Sequence, residues 1–148
     1  MEVIVENLQK KINLKPLQIV KIAKTILRHE GIKKSIVSIV FVTSQKIIAL
    51  NKKFLGKTYA TDVLAFDFKG DAKNGALEGD IIISTDAVIK NSKEFKTNVE
   101  EEIALYVIHG ILHLLGFDDH KKKDTEVMRL KEKELLKCIK PTIKHLVR

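Results

Sequence analysis

Hydrophobic and polar positions change period several times along the chain. Val3 and Val5 alternate with Glu2 and Glu6, the two-residue repeat of a short strand. From Leu14 to Glu30 the repeat lengthens. Leu17, Val20, Ala23, Lys24 and Leu27 follow helical spacing, Pro16 suits a first turn, and Gly31 suits a helix end. Ser35 to Thr43 is apolar and β-branched, which predicts a strand buried on both faces. Ser44 is placed to cap a helix through about Phe54, and a polar loop follows from Leu55 to Ala60.

The alternation returns from Asp62 to Phe68, through Val63 and Ala65, and predicts a further strand. Gly70 to Gly79 is polar and turn-rich, the composition of an exposed hairpin-like connection, and Asp80 to Ser84 reads as another strand. Ser84 or Thr85 can cap a helix to about Phe95. Asn98 caps the next helix, whose acidic first turn, Glu100 to Glu102, complements the helix dipole. That helix is apolar nearly all round from Ile103 to Leu115, which predicts a central, buried position. Asp124 or Thr125 starts a last helix, to about Lys140, ahead of Pro141. No repeat, low-complexity tract or linker interrupts this order. The expected fold class is α+β: one domain over residues 1–148, a small mixed β-sheet packed with helices, and a central buried helix.

Composition narrows the class. An apolar fraction of 45% is enough for a core without staples. No apolar run approaches the roughly 20 residues that span a bilayer, so no membrane partner is expected. The N-terminus lacks the basic start and apolar stretch of a signal peptide. Cys138 is the one cysteine, so no internal disulfide forms, which suits a cytoplasmic location; it reads as a small residue on a helix face. The net charge of +8 is uneven, because residues 120–148 carry ten Lys or Arg against four Asp or Glu. A basic end suits a polyanionic partner, and equally a solvated helix and tail.

Candidate chemistry concentrates in one place, His109-Gly110-Ile111-Leu112-His113-Leu114-Leu115-Gly116-Phe117-Asp118-Asp119-His120. His109 and His113 are four apart, so on a helix they share a face and can close on one metal ion. Gly116 can end that helix in a left-handed conformation and turn Asp118, Asp119 and His120 back toward the pair. Imidazoles suit Zn²⁺ first, with other divalent transition metals possible. Three protein ligands leave a position for water, whereas a structural zinc is usually closed by four ligands, several of them cysteines. Zinc proteases carry a glutamate base directly after the first histidine. Gly110 stands there, which argues against peptide hydrolysis by that route. Thr61 and Asp62 either line the cleft or pin their loop. Asp80 reads as a turn or cap residue, Tyr106 as a core residue near the face of His109, and His29 and His145 as solvent-exposed.

Three motifs in order, His109 to Asp118, Thr61-Asp62-Val63-Leu64-Ala65-Phe66 and Gly79-Asp80-Ile81-Ile82-Ile83-Ser84, closely resemble those of the YbeY family of bacterial metal-dependent endoribonucleases. The resemblance implies an α+β fold, a zinc-type site and action on single-stranded RNA. It further implies roles in maturation of the small-subunit rRNA 3′ end and in ribosome quality control. His109 and His113 match directly. The family's third histidine falls at Asp119 here, with His120 one residue later. Either the loop holds an extra residue and His120 binds, or Asp119 takes the ligand position. His120 is preferred because a loop after Gly116 can absorb an insertion and the ligand set stays all-histidine. Asp118 would then hydrogen-bond a ligand histidine or the turn.

Two departures from the family pattern stand out. Its usual catalytic arginine is matched by Leu55, and the usual strand serine by Ala65. Lys53 and Lys57 are candidate replacement cations, although lysine lacks the bidentate fork of arginine. The expectation is a zinc-dependent endoribonuclease with His109, His113 and His120 as ligands and catalytic residues. Lys53, Lys57, Lys121, Lys122, Lys123 and Arg129 would hold RNA, chiefly rRNA on the ribosome. The alternatives are a ribosome-associated RNA-binding factor whose metal only fixes the fold, and a zinc hydrolase of another substrate.

Overall fold

A computed structural model describes residues 1–57, 61–68, 70 and 72–148. The element order is β1 (Glu2–Asn7), α1 (Pro16–His29), β2 (Lys34–Val42), α2 (Ser44–Leu55), β3 (Val63–Asp67), a 3₁₀ turn (Ala72–Asn74), β4 (Ala76–Ser84), α3 (Thr85–Glu94), α4 (Val99–Leu114) and α5 (Lys122–Ile143). The strands form one mixed sheet in the order β1-β2-β4-β3. β1, β2 and β4 run parallel, while β3 pairs antiparallel with β4, Val63 opposite Ile83 and Asp67 opposite Gly79. The fold is α+β with a small mixed sheet.

One face of the sheet carries the main core. α1 and α4 pack on the strands, and α5 packs over α1 and α4. α4 is thus enclosed between sheet and helix, which is why its apolar residues continue nearly all round; Ile103, Val107, Ile108, Ile111 and Leu112 are fully buried. The opposite face holds a smaller cluster of Val42, Ile47, Leu64 and Ile82 beneath α2. Among the described residues no helix is long and apolar enough to cross a membrane.

Several boundaries differ from the sequence expectation. α1 begins at Pro16 because Leu14 is drawn into an antiparallel bridge with Val147. Its buried face is Ile19, Ile22, Ala23, Ile26 and Leu27. Leu17, two positions from Ile19 and so on the far side, is 81% exposed. β2 is central but not buried on both faces: Ile36 is exposed, because the cluster beneath α2 reaches only the far end of the strand. Thr43, not Ser44, caps α2, its hydroxyl accepting from the Lys46 N–H. α2 takes in Leu55, and positions 58–60 of the expected loop lie outside the described residues. β4 starts at Ala76 and runs through Gly79, and Asp80 sits mid-strand opposite Phe66 rather than in a turn or cap. Pro141 lies inside α5, two residues before its end, rather than beyond it.

Two glycines set the distance between α4 and the sheet. A Cβ on Gly110 would stand 2.5 Å from Ile81 Cγ2 of β4. A Cβ on Gly79 would stand 2.5 Å from the Phe66 carbonyl oxygen and 2.8 Å from Leu114 Cδ2. Only glycine lets helix and strand meet this closely. The residue after the first histidine therefore points into the core, and no side chain at position 110 could serve the opposite face.

Candidate metal centre

His109 and His113 project from the last turns of α4, and both are partly exposed. The helix ends in a Schellman turn: the Phe117 N–H donates to the Leu112 carbonyl at 2.9 Å and the Gly116 N–H to the His113 carbonyl at 3.0 Å. Gly116 supplies the positive φ, 98°, that this turn needs. The turn brings the Phe117 carbonyl to 3.1 Å from His113 Nδ1. On the other side, α5 sets Glu132 Oε1 2.9 Å from His109 Nδ1.

These partners assign the tautomers. A carbonyl only accepts, so His113 carries its proton on Nδ1; the Glu132 carboxylate likewise accepts a hydrogen bond from the Nδ1–H of His109. In the neutral rings both Nε2 atoms then hold lone pairs, and they face each other at 3.0 Å. Two lone pairs that close repel unless a cation lies between them. A proton is disfavoured there, because burial first, and then the neighbouring His109, push His113 below the usual imidazole range. A metal ion fits both the lone pairs and the fixed tautomers.

Asp119 completes a triangle. Its Oδ2 lies 3.8 Å from His109 Nε2 and 4.0 Å from His113 Nε2. A circle through the three atoms has a radius of about 2.1 Å, the length of a zinc–nitrogen or zinc–oxygen bond. The His120 side chain is 86% exposed, and its Nε2 sits 3.3 Å from Asp118 Oδ1. Asp118 Oδ1 also accepts from the N–H groups of Asp119 at 2.7 Å and His120 at 3.1 Å, so it shapes the turn. Of the three residues after Phe117, the structure brings Asp119 to the histidine pair and leaves His120 in solvent. A second His–carboxylate group, His29, Glu30 and Glu134, is filled by Lys131 Nζ, 3.0 Å from each carboxylate.

A cleft of about 690 Å³ opens beside His109, lined by Thr61, Asp62, Asn91, Phe95, Tyr106 and Glu132 among others. It continues past His109 into a second hollow bordered by Asp119, Thr125 and Arg129. Thr61 and Asp62 line the cleft, and the Thr61 hydroxyl also donates to the Val63 carbonyl at 3.4 Å, so it pins the loop as well. The ring of Tyr106 is buried, yet its hydroxyl meets Asn91 Nδ2 and donates to Asp62 Oδ2 at 3.4 Å. Burial, and secondly the Asp62 charge, push its pKa upward, so it stays a neutral phenol.

Arg129 is exposed and borders the second hollow. Lys121, Lys122 and Lys123 are exposed at the start of α5. Lys53 and Lys57 are exposed and line neither hollow, and Lys53 Nζ lies 5.3 Å from the Phe54 ring centre. Leu55, half-exposed at the end of α2, lines neither hollow. Sequence reasoning missed Glu132. The available signal was periodicity: Met128, Leu135 and Ile139 mark the buried face of α5, and Glu132 falls on it.

Two imidazoles and a carboxylate on a buried helix and its turn, facing an open cleft, define a candidate metal centre of hydrolase type on an α+β scaffold. The family model described as Endoribonuclease YbeY matches residues 4–140, and the chain belongs to that family. It is 33% identical over 137 residues to an Endoribonuclease YbeY of Carboxydothermus hydrogenoformans, covering 91% of this chain and 95% of that relative. It is 34% identical over 145 residues to that of Pelotomaculum thermopropionicum, with 92% and 95% covered. Among solved structures, the solution structure of TM1509 from Thermotoga maritima superposes with a TM-score of 0.67 at 27% identity, covering 95% of this chain and 91% of that one.

Proposed function

We propose that residues 1–148 form one metal-dependent endoribonuclease unit that cuts single-stranded RNA in ribosomal RNA maturation. Family membership supports the endoribonuclease activity and the RNA substrate. The finer reading is action on the small-subunit rRNA 3′ end and in ribosome quality control, in the cytoplasm. It rests on the family resemblance together with the basic segment after the histidine motif.

The observation that carries the metal reading is the pair of Nε2 atoms facing each other at 3.0 Å, each ring held by an acceptor on its far nitrogen. His109, His113 and Asp119 would hold a divalent ion, Zn²⁺ first, and Glu132 would orient His109 from behind. Exposure of His120 and the triangle made by Asp119 favour the carboxylate as third ligand. Such an ion supplies electrophilic stabilisation for charge developing on phosphoryl oxygens. Arg129, at the border of the second hollow, is placed to pair with a phosphate, and Lys121, Lys122 and Lys123 extend the positive surface beyond it. Lys53 and Lys57 would act further along the strand, outside both hollows.

Cleavage of a single-stranded rRNA fragment by purified protein, with and without a chelator and restored metal, tests the activity. Metal content of the Asp119→Ala and His120→Ala proteins tests the ligand set. Loss of metal in the first alone is expected; loss in the second alone would give His120 the position. RNA binding with no cleavage by fully metal-loaded protein would overturn the nuclease reading.

A further inference from the structure

The cleft beside His109 has walls that a metal ion does not explain. Phe95, at the end of α3, is 64% exposed, although a large aromatic side chain gains by burial. It lines both hollows, so it stands at their junction next to His109. Beside it, Asp62, Asn91 and Tyr106 form one polar group. Asn91 Nδ2 donates to the Tyr106 hydroxyl and, at 3.4 Å, to Asp62 Oδ2. Val63 and Leu105 add apolar wall between them.

Asp62 and Glu132 line both hollows of this groove, and Arg129 lines the second. The first hollow adds Glu102 to them and, among the described residues, holds no Lys or Arg. A phosphodiester placed there would meet like charge. The second hollow adds Asp119 and Arg129, and only at the Arg129 guanidinium does a phosphate find an opposite charge among the described lining residues. An RNA strand crossing His109 can therefore keep its phosphate at Arg129 and turn a neutral, flat group into the first hollow, lined by Asn91, Glu102 and Tyr106. The flat group available on RNA is the base, and single-stranded bases are commonly read by aromatic stacking and edge hydrogen bonds.

We propose that this cleft is a nucleobase pocket, in which Phe95 stacks on one unstacked base and Asp62 with Asn91 reads its edge, guanine before the other three. The proposal deepens the endoribonuclease reading and rests on it for the identity of the strand. The preference follows from donor and acceptor counts. An ionised carboxylate only accepts, and guanine presents two adjacent N–H donors, N1–H and the 2-amino group, on its Watson–Crick edge. Its O6, next to them, would take the Asn91 amide proton that otherwise makes the long 3.4 Å bond to Asp62 Oδ2. Adenine and cytosine pair one amino donor with a ring acceptor, and uracil offers one N–H between two acceptors, so each would place an acceptor against Asp62.

Mononucleotide binding to the metal-loaded full-length protein tests this without any need for cleavage. GMP, IMP, AMP, CMP and UMP share the phosphate and ribose, so differences among them report the base. GMP is expected to bind about tenfold more tightly than IMP, which lacks the 2-amino group, and more tightly than the other three. Asp62→Ala should erase that difference, Asn91→Ala should reduce it, and Phe95→Ala should weaken all five together. Chemical denaturation of each variant separates loss of contact from loss of fold. Equal affinities, a GMP preference that survives Asp62→Ala, or a loss on removing the ribose 2′-hydroxyl as large as that from GMP to IMP would overturn the pocket. Cleavage of short single-stranded RNAs, with and without one guanine, keeps the two readings apart. Selective GMP binding without cleavage sinks the nuclease and leaves the pocket; cleavage indifferent to guanine, with equal mononucleotide affinities, does the reverse.

Discussion

The candidate centre is built from two regions of opposite character. His109 and His113 stand on α4, a helix closed in by sheet and α5 and pressed onto β4 through Gly79 and Gly110. Asp119 and His120 stand on the short segment between α4 and α5, where residues 118 to 121 are all exposed. The helix fixes its two imidazoles to the sheet through van der Waals contact. The turn holds its side chains through a few local hydrogen bonds, chiefly those to Asp118 Oδ1. Geometry is therefore dictated on one side and selected on the other. The helix settles where an ion would lie; the turn settles which residue closes around it.

Substitutions on the two sides should differ in size and kind. The largest effect is expected from His113→Ala, which removes a donor that nothing nearby replaces. Metal content should fall to background and RNA cleavage by at least about 100-fold, more than the tenfold to hundredfold typical of an outer partner. Full cleavage by the metal-free variant would break the link between helix and chemistry. Gly110→Ala comes next, because its methyl group would stand 2.5 Å from Ile81 Cγ2. A loss of about 1–3 kcal/mol is expected in chemical denaturation, with weakened metal binding as the helix lifts. An unchanged midpoint would show that α4 does not rest on β4 as described.

Glu132→Gln tests the outer wall. The amide keeps the shape and loses the charge behind His109, so metal affinity should fall about tenfold while the unfolding midpoint moves little. Gly116→Ala probes the join between the two regions. A non-glycine residue at φ 98° should cost about 1 kcal/mol and loosen the Phe117 carbonyl on His113, read as a lower melting temperature. His120→Ala should be the smallest, with metal content and stability at the wild-type level. A clear loss of metal there would reverse the assignment of the third ligand.

The same contrast explains what the sequence disclosed. Helical spacing places His109 and His113 on one face whatever surrounds them, and an all-apolar α4 had to be central, so this half of the centre was legible. Capping by Asn98 and the turn at Gly116 were legible for the same local reason. The choice between Asp119 and His120 was not, because it depends on how Asp118 folds the turn rather than on any period. Glu132 was hidden for a different reason: it comes from another helix, and only the packing of α5 on α4 brings it to His109. Similarly, Leu17 fits the helical repeat of α1 yet faces solvent, since the isoleucines of that helix outcompete it for the sheet.

The bridge between Leu14 and Val147 bears on the order in which the molecule assembles. Lys15 donates to the Leu146 carbonyl and Arg148 to that of Asn13, so the segment after α5 is stitched to the segment before α1. Contacts this distant in sequence pay the greatest loop-closure entropy and tend to form late. α4 can settle on β4 from nearby residues, giving the histidine pair early. The α5 wall, with Glu132 and Arg129, is tied at its far end to the start of α1 through residues 146–148. The histidine pair therefore depends on local contacts, whereas the wall that orients His109 depends on pairing between residues far apart in sequence.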